Sequence, residues 1–152
     1  MSRRQPPSGA PEGTVWFGGP VDRFRIALRV YHEDLVPEEV TLLLQCQPTT
    51  AEAKGARGRF PPKGRWLFEI QSKDLGDVDI EDGLKILFER LPADLKVWEA
   101  LTTKYKVDIF CGLFLQAENR GFGLSAEMSK MLADRGIEIG FDIYFDPPAK
   151  AD

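Results

Sequence analysis

Few residues in this sequence could form a nucleophile with a base to activate it. The only histidine, His32, follows a strand-like segment and lies beside Glu33 and Asp34. An acid could orient a histidine as a general base, but catalysis also requires a nucleophile within hydrogen-bond reach of that base. Because proximity in sequence brings no nucleophile to His32, we interpret it as an exposed loop histidine. The sequence predicts no catalytic residue, and a small hydrolase that uses His32 is kept as an alternative hypothesis.

The two cysteines, Cys46 and Cys111, each lie in an apolar segment, the first helix-like and the second strand-like. A free cysteine packs as a small hydrophobic side chain, so two buried thiols are the simplest interpretation, and a disulfide stays open. One histidine and two separated cysteines do not give the spacing of an ordinary zinc site. Together with the lack of an apolar N-terminal signal segment, this cysteine usage predicts a reducing, cytoplasmic location.

Acidic side chains cluster before and within the start of a helix-like segment, at Asp74, Asp77, Asp79, Glu81 and Asp82. Carboxylates at alternate positions resemble part of a calcium loop, but the glycine and the distal glutamate of that loop are missing. We interpret the cluster as a solvated loop followed by acids that favour a helix N-terminus. The sequence therefore predicts no metal site and no cofactor.

A basic segment contains Lys54, Arg57, Arg59, Lys63 and Arg65 around three glycines. A mobile backbone with many donors could hold phosphate or carboxylate groups. The segment lacks the residue order of a phosphate-binding loop, and a solvated charged loop explains it more simply. Binding of a small anion or nucleotide-type ligand by the loop 54–65, through Arg57, Arg59 and Arg65, is the alternative function.

Composition indicates one folded domain between two tails. The chain has 152 residues, a 43% hydrophobic fraction and a net charge of −4. This charge argues against general binding to nucleic acid or anionic membranes, and no apolar run reaches membrane-spanning length. Residues 1–14 are rich in proline, glycine and serine and are predicted to be disordered. We expect a single domain over 15–146 and a flexible tail over 147–152.

Hydrophobic periodicity predicts the order strand, helix, hairpin or strand, two helices, strand, helix, strand. Alternating segments indicate strands over 22–31, 65–71, 107–116 and 137–145, the last with all its odd-numbered apolar residues inward. Helical spacing begins after Pro37, at Ile80, at Pro92 and after the N-cap Ser125. Strands with one polar face imply helices on the other. We expect an α+β domain with a mainly antiparallel sheet of four to five strands and helices packed mostly on one face.

The polar faces of these strands are the predicted binding surface. If the first and last strands are neighbours, arginines and acids can pair across them. A solvated, charge-paired face is one interpretation, and cover by a helix or by Trp16 and Phe17 is another. Arginine and tyrosine favour interfaces, and an open face should not expose two phenylalanines, Phe110 and Phe114. We expect a non-enzymatic interaction module for a protein partner or a second copy, with contacts at Arg25, Arg29, Tyr31, Asp142 and Tyr144.

An ordered series of short motifs spans most of residues 22–146. It comprises the helix start Leu35-Val36-Pro37-Glu38-Glu39-Val40, then Cys46-Gln47-Pro48-Thr49, the basic loop, Arg65-Trp66, Gly123-Leu124-Ser125 and Asp142-Ile143-Tyr144. This series resembles a bacterial domain family catalogued as domain of unknown function number 4279. The resemblance implies a bacterial source and a shared fold, and it implies no activity.

Overall fold

The computed structural model describes Gly9, Pro11, Glu12 and the ranges 18–54 and 63–150. The predictions that concern Trp16 and Phe17, Arg57 and Arg59, and most of the tail 1–14 lie outside the described residues.

The described chain forms a five-stranded sheet and four α-helices. Their order is β1 Arg23–His32, α1 Pro37–Leu44, β2 Thr50–Glu52, β3 Gly64–Gln71, a 3₁₀ turn Ser72–Asp74, α2 Ile80–Glu89, α3 Leu95–Lys104, β4 Lys106–Leu115, α4 Ala126–Asp134 and β5 Glu138–Phe145. The strand order is β2-β3-β1-β4-β5, antiparallel except for the parallel pair β4 and β5. The predicted α+β class with a mostly antiparallel sheet is confirmed.

The first and last strands are not neighbours, because β4 lies between β1 and β5. Pairing of arginines with acids directly across β1 and β5 is therefore wrong. A parallel neighbour needs a long crossover connection, and α4 provides it between β4 and β5. Since β4 is a central strand, it brings its own side chains between the arginines of β1 and the acids of β5.

The hydrophobic core lies on one side of the sheet, under the helices. Even-numbered residues of β1 and β3 and odd-numbered residues of β4 are buried there with the inner faces of the helices. Gly83 lets α2 approach β1 closely, since a Cβ there would lie 2.7 Å from Phe24 Cε2 and 2.9 Å from Ile26 Cδ1. No helix in the described part of the chain is long and apolar enough to cross a membrane.

Two predicted boundaries are wrong for local reasons. Thr50–Glu52, which lies outside the predicted strands, pairs with β3 as a short edge strand. Helix α3 begins at Leu95 rather than at Pro92, because the side chain of Asp94 accepts a hydrogen bond from the Lys96 amide at 3.0 Å and caps the helix. Pro92 instead contributes its carbonyl to the core, where it accepts from Trp98 Nε1 at 2.8 Å.

The last strand is less buried than its alternation predicts. The predicted side-chain alternation places Ile143 and Phe145 on the helix side, yet they are 62% and 59% exposed. Helix α4 buries Met128 and Leu132, and the Leu132 carbonyl accepts a hydrogen bond from the Ile137 amide at 3.0 Å, just before β5 begins. The inward prediction therefore fails for the C-terminal half of β5.

Candidate functional site

The sheet surface opposite the helices, which we call the outer face, carries arginine side chains over aromatic rings. The Arg29 guanidinium carbon lies 4.4 Å from the ring centre of Phe110, and that of Arg23 lies 4.7 Å from the ring centre of Phe114. On the β5 side, Tyr144 stacks on Phe114 with centroids 5.1 Å apart and ring planes at 15°. These contacts are favourable cation–π and aromatic interactions. They shield two phenylalanines that no described helix covers.

Strand register explains why these side chains meet. Arg23 lies opposite Phe114 on β4, and Phe114 lies opposite Tyr144 on β5. Ala27 lies opposite Phe110, and its small side chain leaves space for the ring between the arginines that flank it on β1. The alternation that puts apolar residues under the helices therefore also lines up a row of cations and rings on the outer face.

Most arginines of the outer face are neutralised by a neighbouring carboxylate. Arg29 donates from Nε and Nη2 to both carboxylate oxygens of Asp108, each at 2.7 Å, and this hydrogen bonding raises the pKa of Arg29. Arg65 donates to Glu52 at 3.2 Å. Burial raises the pKa of Tyr31, which lies opposite Arg65 in the ladder. This end of the outer face is a compensated, partly buried polar network.

The opposite end of the outer face differs, because among the described residues no carboxylate lies within ion-pair distance of Arg25. Arg25 is exposed, with its guanidinium carbon 5.6 Å from the ring centre of Phe114. Gly112 separates it from Asp142 in the ladder. The Tyr144 hydroxyl donates to Asp142 at 3.1 Å, which raises the pKa of Tyr144. We call Arg25, Gly112, Phe114, Asp142 and Tyr144 the Arg25 surface.

His32 forms no catalytic arrangement within the described part of the chain. Its Nδ1 accepts a hydrogen bond from the Asp34 amide at 2.9 Å, and its ring contacts Tyr105 edge-on at 5.7 Å. No described hydrogen bond joins it to a serine, threonine or cysteine. The histidine therefore closes the turn after β1.

Three residues of the acidic cluster form hydrogen bonds at the N-termini of helices. Asp79 caps α2 in a capping box, in which the Asp82 amide donates to the Asp79 carboxylate at 2.9 Å and the Asp79 amide donates to Asp82 at 3.3 Å. Glu81 accepts from the Ser125 amide, and this hydrogen bond lowers the pKa of Glu81. Among the described residues, no group of three or more potential ligands is placed to hold a metal.

A shallow cleft of about 570 Å³ lies between α1 and the segment around β2. Its wall includes Leu42, Pro48 and Ala51, and Glu38 is the one ionisable residue among the described lining residues. A lone carboxylate without a base or nucleophile beside it offers no acid–base pair. The cleft is therefore a weaker candidate than the outer face.

The two cysteines are free thiols in different surroundings: Cys111 is buried and Cys46 is half-buried. Burial raises the pKa of the Cys111 thiol to about 12 and also raises that of Cys46. Since the thiolate is the reactive form, Cys111 is nearly unreactive in the folded domain.

We expect a thiol reagent at pH 8 to label one cysteine of the native protein slowly and the other only on unfolding. Peptide mapping should find the first label on Cys46, and the Cys46→Ser variant should take up label at the rate of global unfolding. Rapid labelling of native Cys46→Ser protein would show that Cys111 is accessible.

One family model matches most of the chain. The family model described as "Domain of unknown function (DUF4279)" matches residues 22–146. The chain belongs to the DUF4279 family. No curated protein and no solved structure matches the chain.

The limits of the DUF4279 match coincide with the ends of the sheet. Asp22 accepts a hydrogen bond from Arg120 Nε at 2.9 Å, just before β1. Asp146 accepts from Arg23 at 2.8 Å, and its amide donates to the Leu115 carbonyl at 2.7 Å, which continues the ladder past β5. Polar contacts thus close the sheet at both limits of the match.

The DUF4279 domain brings the predicted residues into two groups. Arg25 lies with Asp142 and Tyr144 at one end of the outer face, while Arg29 and Tyr31 lie at the other, next to Arg65. The predicted site did not include Asp108 and Gly112, which lie opposite Arg29 and Arg25 on β4. A signal existed for both, because they alternate with Phe110 and Phe114 along β4.

Proposed function

We propose that the DUF4279 domain is a non-enzymatic module whose Arg25 surface binds a protein partner. That partner presents a carboxylate next to an apolar side chain. The observation that carries this proposal is an exposed arginine without a described carboxylate, held beside the partly exposed rings of Phe114 and Tyr144. The other outer-face arginines, Arg23, Arg29 and Arg65, already pair with carboxylates.

The chemistry of this surface suits protein recognition. A guanidinium presents a planar fork of donors that matches a carboxylate, and resting on a ring restricts its motion before binding. Tyrosine and arginine recur among the residues that contribute most to interfaces. Gly112 is buried and has no side chain, so the Phe114 ring lies over it, 3.7 Å from where a Cβ would be, beside Arg25.

A phosphate-rich partner suits the outer face less well. Glu69, Glu138 and Asp142 share it with the arginines, and the whole chain carries a net charge of −4. Nucleic-acid affinity depends on many cations that face the phosphates together. The anion-binding loop also has a described member, Arg65, whose charge Glu52 compensates. Protein binding at the Arg25 surface is therefore the better-supported function.

The test is charge reversal at Arg25 with a matched reversal elsewhere. Arg25→Glu should weaken binding of the partner by roughly tenfold or more, as expected for an interface residue that contributes above about 1.4 kcal/mol. Lys96→Glu makes the same charge change on exposed α3 and should leave binding unchanged. Partners are first captured from lysates of the source cells, and dissociation constants are then measured with the purified partner.

A photoreactive residue at position 144 should cross-link the same partner, and one at position 96 should not. Equal capture by wild type and Arg25→Glu would contradict the proposal. Loss of capture in both Arg25→Glu and Lys96→Glu would also contradict it, because net charge rather than the Arg25 surface would then govern binding.

A further inference from the structure

The strand β5 forms a long edge of the sheet. Its eight residues pair with β4 on one side, and no described residue pairs with the other side. Proteins usually protect such edges with charged side chains, especially lysine, or with proline, bulges or very short strands. The opposite edge, β2, has three residues, whereas β5 contains neither lysine nor proline. Its two charged side chains, Glu138 and Asp142, lie on the outer face, so the helix side of this free edge carries no charge.

Apolar side chains accompany this free edge. Ile143, Tyr144 and Phe145 are 62%, 47% and 59% exposed. On the helix side, Phe141 is half-buried and contacts the exposed ring of Phe122, with centroids 4.9 Å apart. Exposed apolar residues that adjoin an unpaired strand edge are typical of a surface covered by another chain.

We propose that β5 pairs antiparallel with β5 of a second copy, about a twofold axis at Phe141. Residues directly opposite each other in such a pair lie on the same face. Phe141 then lies opposite Phe141 of the second copy, and Ile139 lies opposite Ile143 of the second copy. The apolar residues on the helix side of the two strands form one continuous contact. On the outer face, Gly140 lies opposite Asp142, and Glu138 lies opposite Tyr144. The pairing joins two five-stranded sheets into one of ten strands.

Charge repulsion favours a twofold axis at Phe141 over axes at the neighbouring residues of β5. An axis at Gly140 would put Glu138 opposite Asp142, and an axis at Asp142 would put two aspartates face to face. Like charges directly opposite each other destabilise a strand pair. An axis at Ile143 avoids that repulsion but takes Pro147 into the ladder, where proline has no N–H to donate. Of these four axes, only the one at Phe141 opposes no like charges and keeps proline out of the ladder.

The proposed β5 pairing is complete with two copies of the chain. A twofold strand pair uses the same surface on both copies and leaves no complementary patch for a third. Pro147 and Pro148 follow the strand and end the ladder. The expected assembly is a dimer rather than a filament. The inference does not rest on the Arg25 proposal, since it concerns the strand edge and not the outer face.

Light scattering on a sizing column tests the dimer. The wild-type chain should elute at twice its 17.1 kDa mass. Ile143→Lys places a lysine on the exposed edge and should give the monomer mass with an unchanged circular dichroism spectrum. Leu42→Lys changes an 80% exposed leucine of α1 and should stay dimeric, as should Arg25→Glu. A monomeric wild type at millimolar concentration would overturn the inference, as would an Ile143→Lys dimer.

Cysteine cross-linking tests the register. In a Cys46→Ser background, Phe141→Cys should form an intermolecular disulfide under mild oxidation, because opposed antiparallel residues lie about 4.5–5.5 Å apart at Cα, within disulfide range. Ile139→Cys should not, since its counterpart would be displaced by four residues, about 13 Å. Cross-linking at 139 but not at 141 would overturn the proposed axis. Dimer loss in Arg25→Glu but not in Ile143→Lys would place the contact on the outer face instead.

Discussion

Replacing Trp66 by alanine is expected to lower the free energy of unfolding by about 3–5 kcal/mol. Trp66 lies on β3 and is fully buried, opposite Val30 of β1 and Ala51 of β2. Its Nε1 donates to the Thr41 hydroxyl of α1 at 3.0 Å. One side chain thus joins three strands and a helix. Since small domains are stable by only about 5–15 kcal/mol, the loss removes a large share of the total.

Urea unfolding followed by circular dichroism measures this effect, and two variants separate its causes. Trp66→Phe keeps an aromatic ring but removes the donor, so its cost should fall well below that of alanine. Thr41→Val removes the acceptor and leaves the indole N–H without its described partner, at about 1–3 kcal/mol. Leu42→Ala, a neighbouring exposed change on α1, should cost less than about 0.5 kcal/mol. A Trp66→Ala effect as small as that of Leu42→Ala would show that Trp66 is not packed as described.

The faces of the strands were predictable from sequence, but the order of the strands was not. A period of two places Phe24, Ile26 and Leu28 under the helices, and their burial confirms it. Which strand lies beside β1 depends on contacts far apart in sequence, and alternation contains no information about them. The central position of β4 therefore appears only in the fold, and with it the pairing of Arg29 with Asp108 rather than with an acid of β5.

Elements at the margins of the sheet were the hardest to predict. Three residues at Thr50–Glu52 are too few to show alternation, and only pairing with β3 makes them a strand. Pro37 and Pro92 each predict the start of a helix from sequence, yet only Pro37 begins one. Helix α3 begins after Asp94, which caps it. Exposure of Ile143 depends on where the helix layer ends, and a local pattern does not contain that limit.

The candidate site was predictable as a set of residue types but not as an arrangement. Outward parity identified Arg25, Arg29 and Tyr144, and chain topology then decided which of them keeps a free charge. Arg29 lies opposite Asp108 and is neutralised, whereas Arg25 lies opposite Gly112 and has no carboxylate partner among the described residues. For these two arginines, the residue opposite on β4 separates one that is neutralised from the one that we propose binds a partner.

This separation predicts unequal energies for two ion pairs of the same residue types. The pair Arg29–Asp108 is bidentate, with side chains 27% and 13% exposed, whereas Arg23–Asp146 is a single contact with side chains 52% and 55% exposed. Double-mutant cycles with alanine should give a coupling of about 1–3 kcal/mol for the first pair. The second should give about 0.2–1 kcal/mol, because exposed pairs are weakened by water and salt.

Added salt and a conservative substitution show whether burial, rather than proximity of the two charges alone, makes the Arg29–Asp108 coupling the larger one. Raising salt to 1 M should remove most of the Arg23–Asp146 coupling and leave most of the Arg29–Asp108 coupling, because screening acts mainly on exposed charges. Asp108→Asn retains the shape and loses the charge, so it should destabilise nearly as much as Asp108→Ala if the charged hydrogen bonds matter. Couplings below about 1 kcal/mol for both pairs would mean that Arg29 is held by its carboxylate as weakly as Arg23. The binding surface would then extend along the whole outer face, and reversal of Arg25 alone would be too small a change to abolish it.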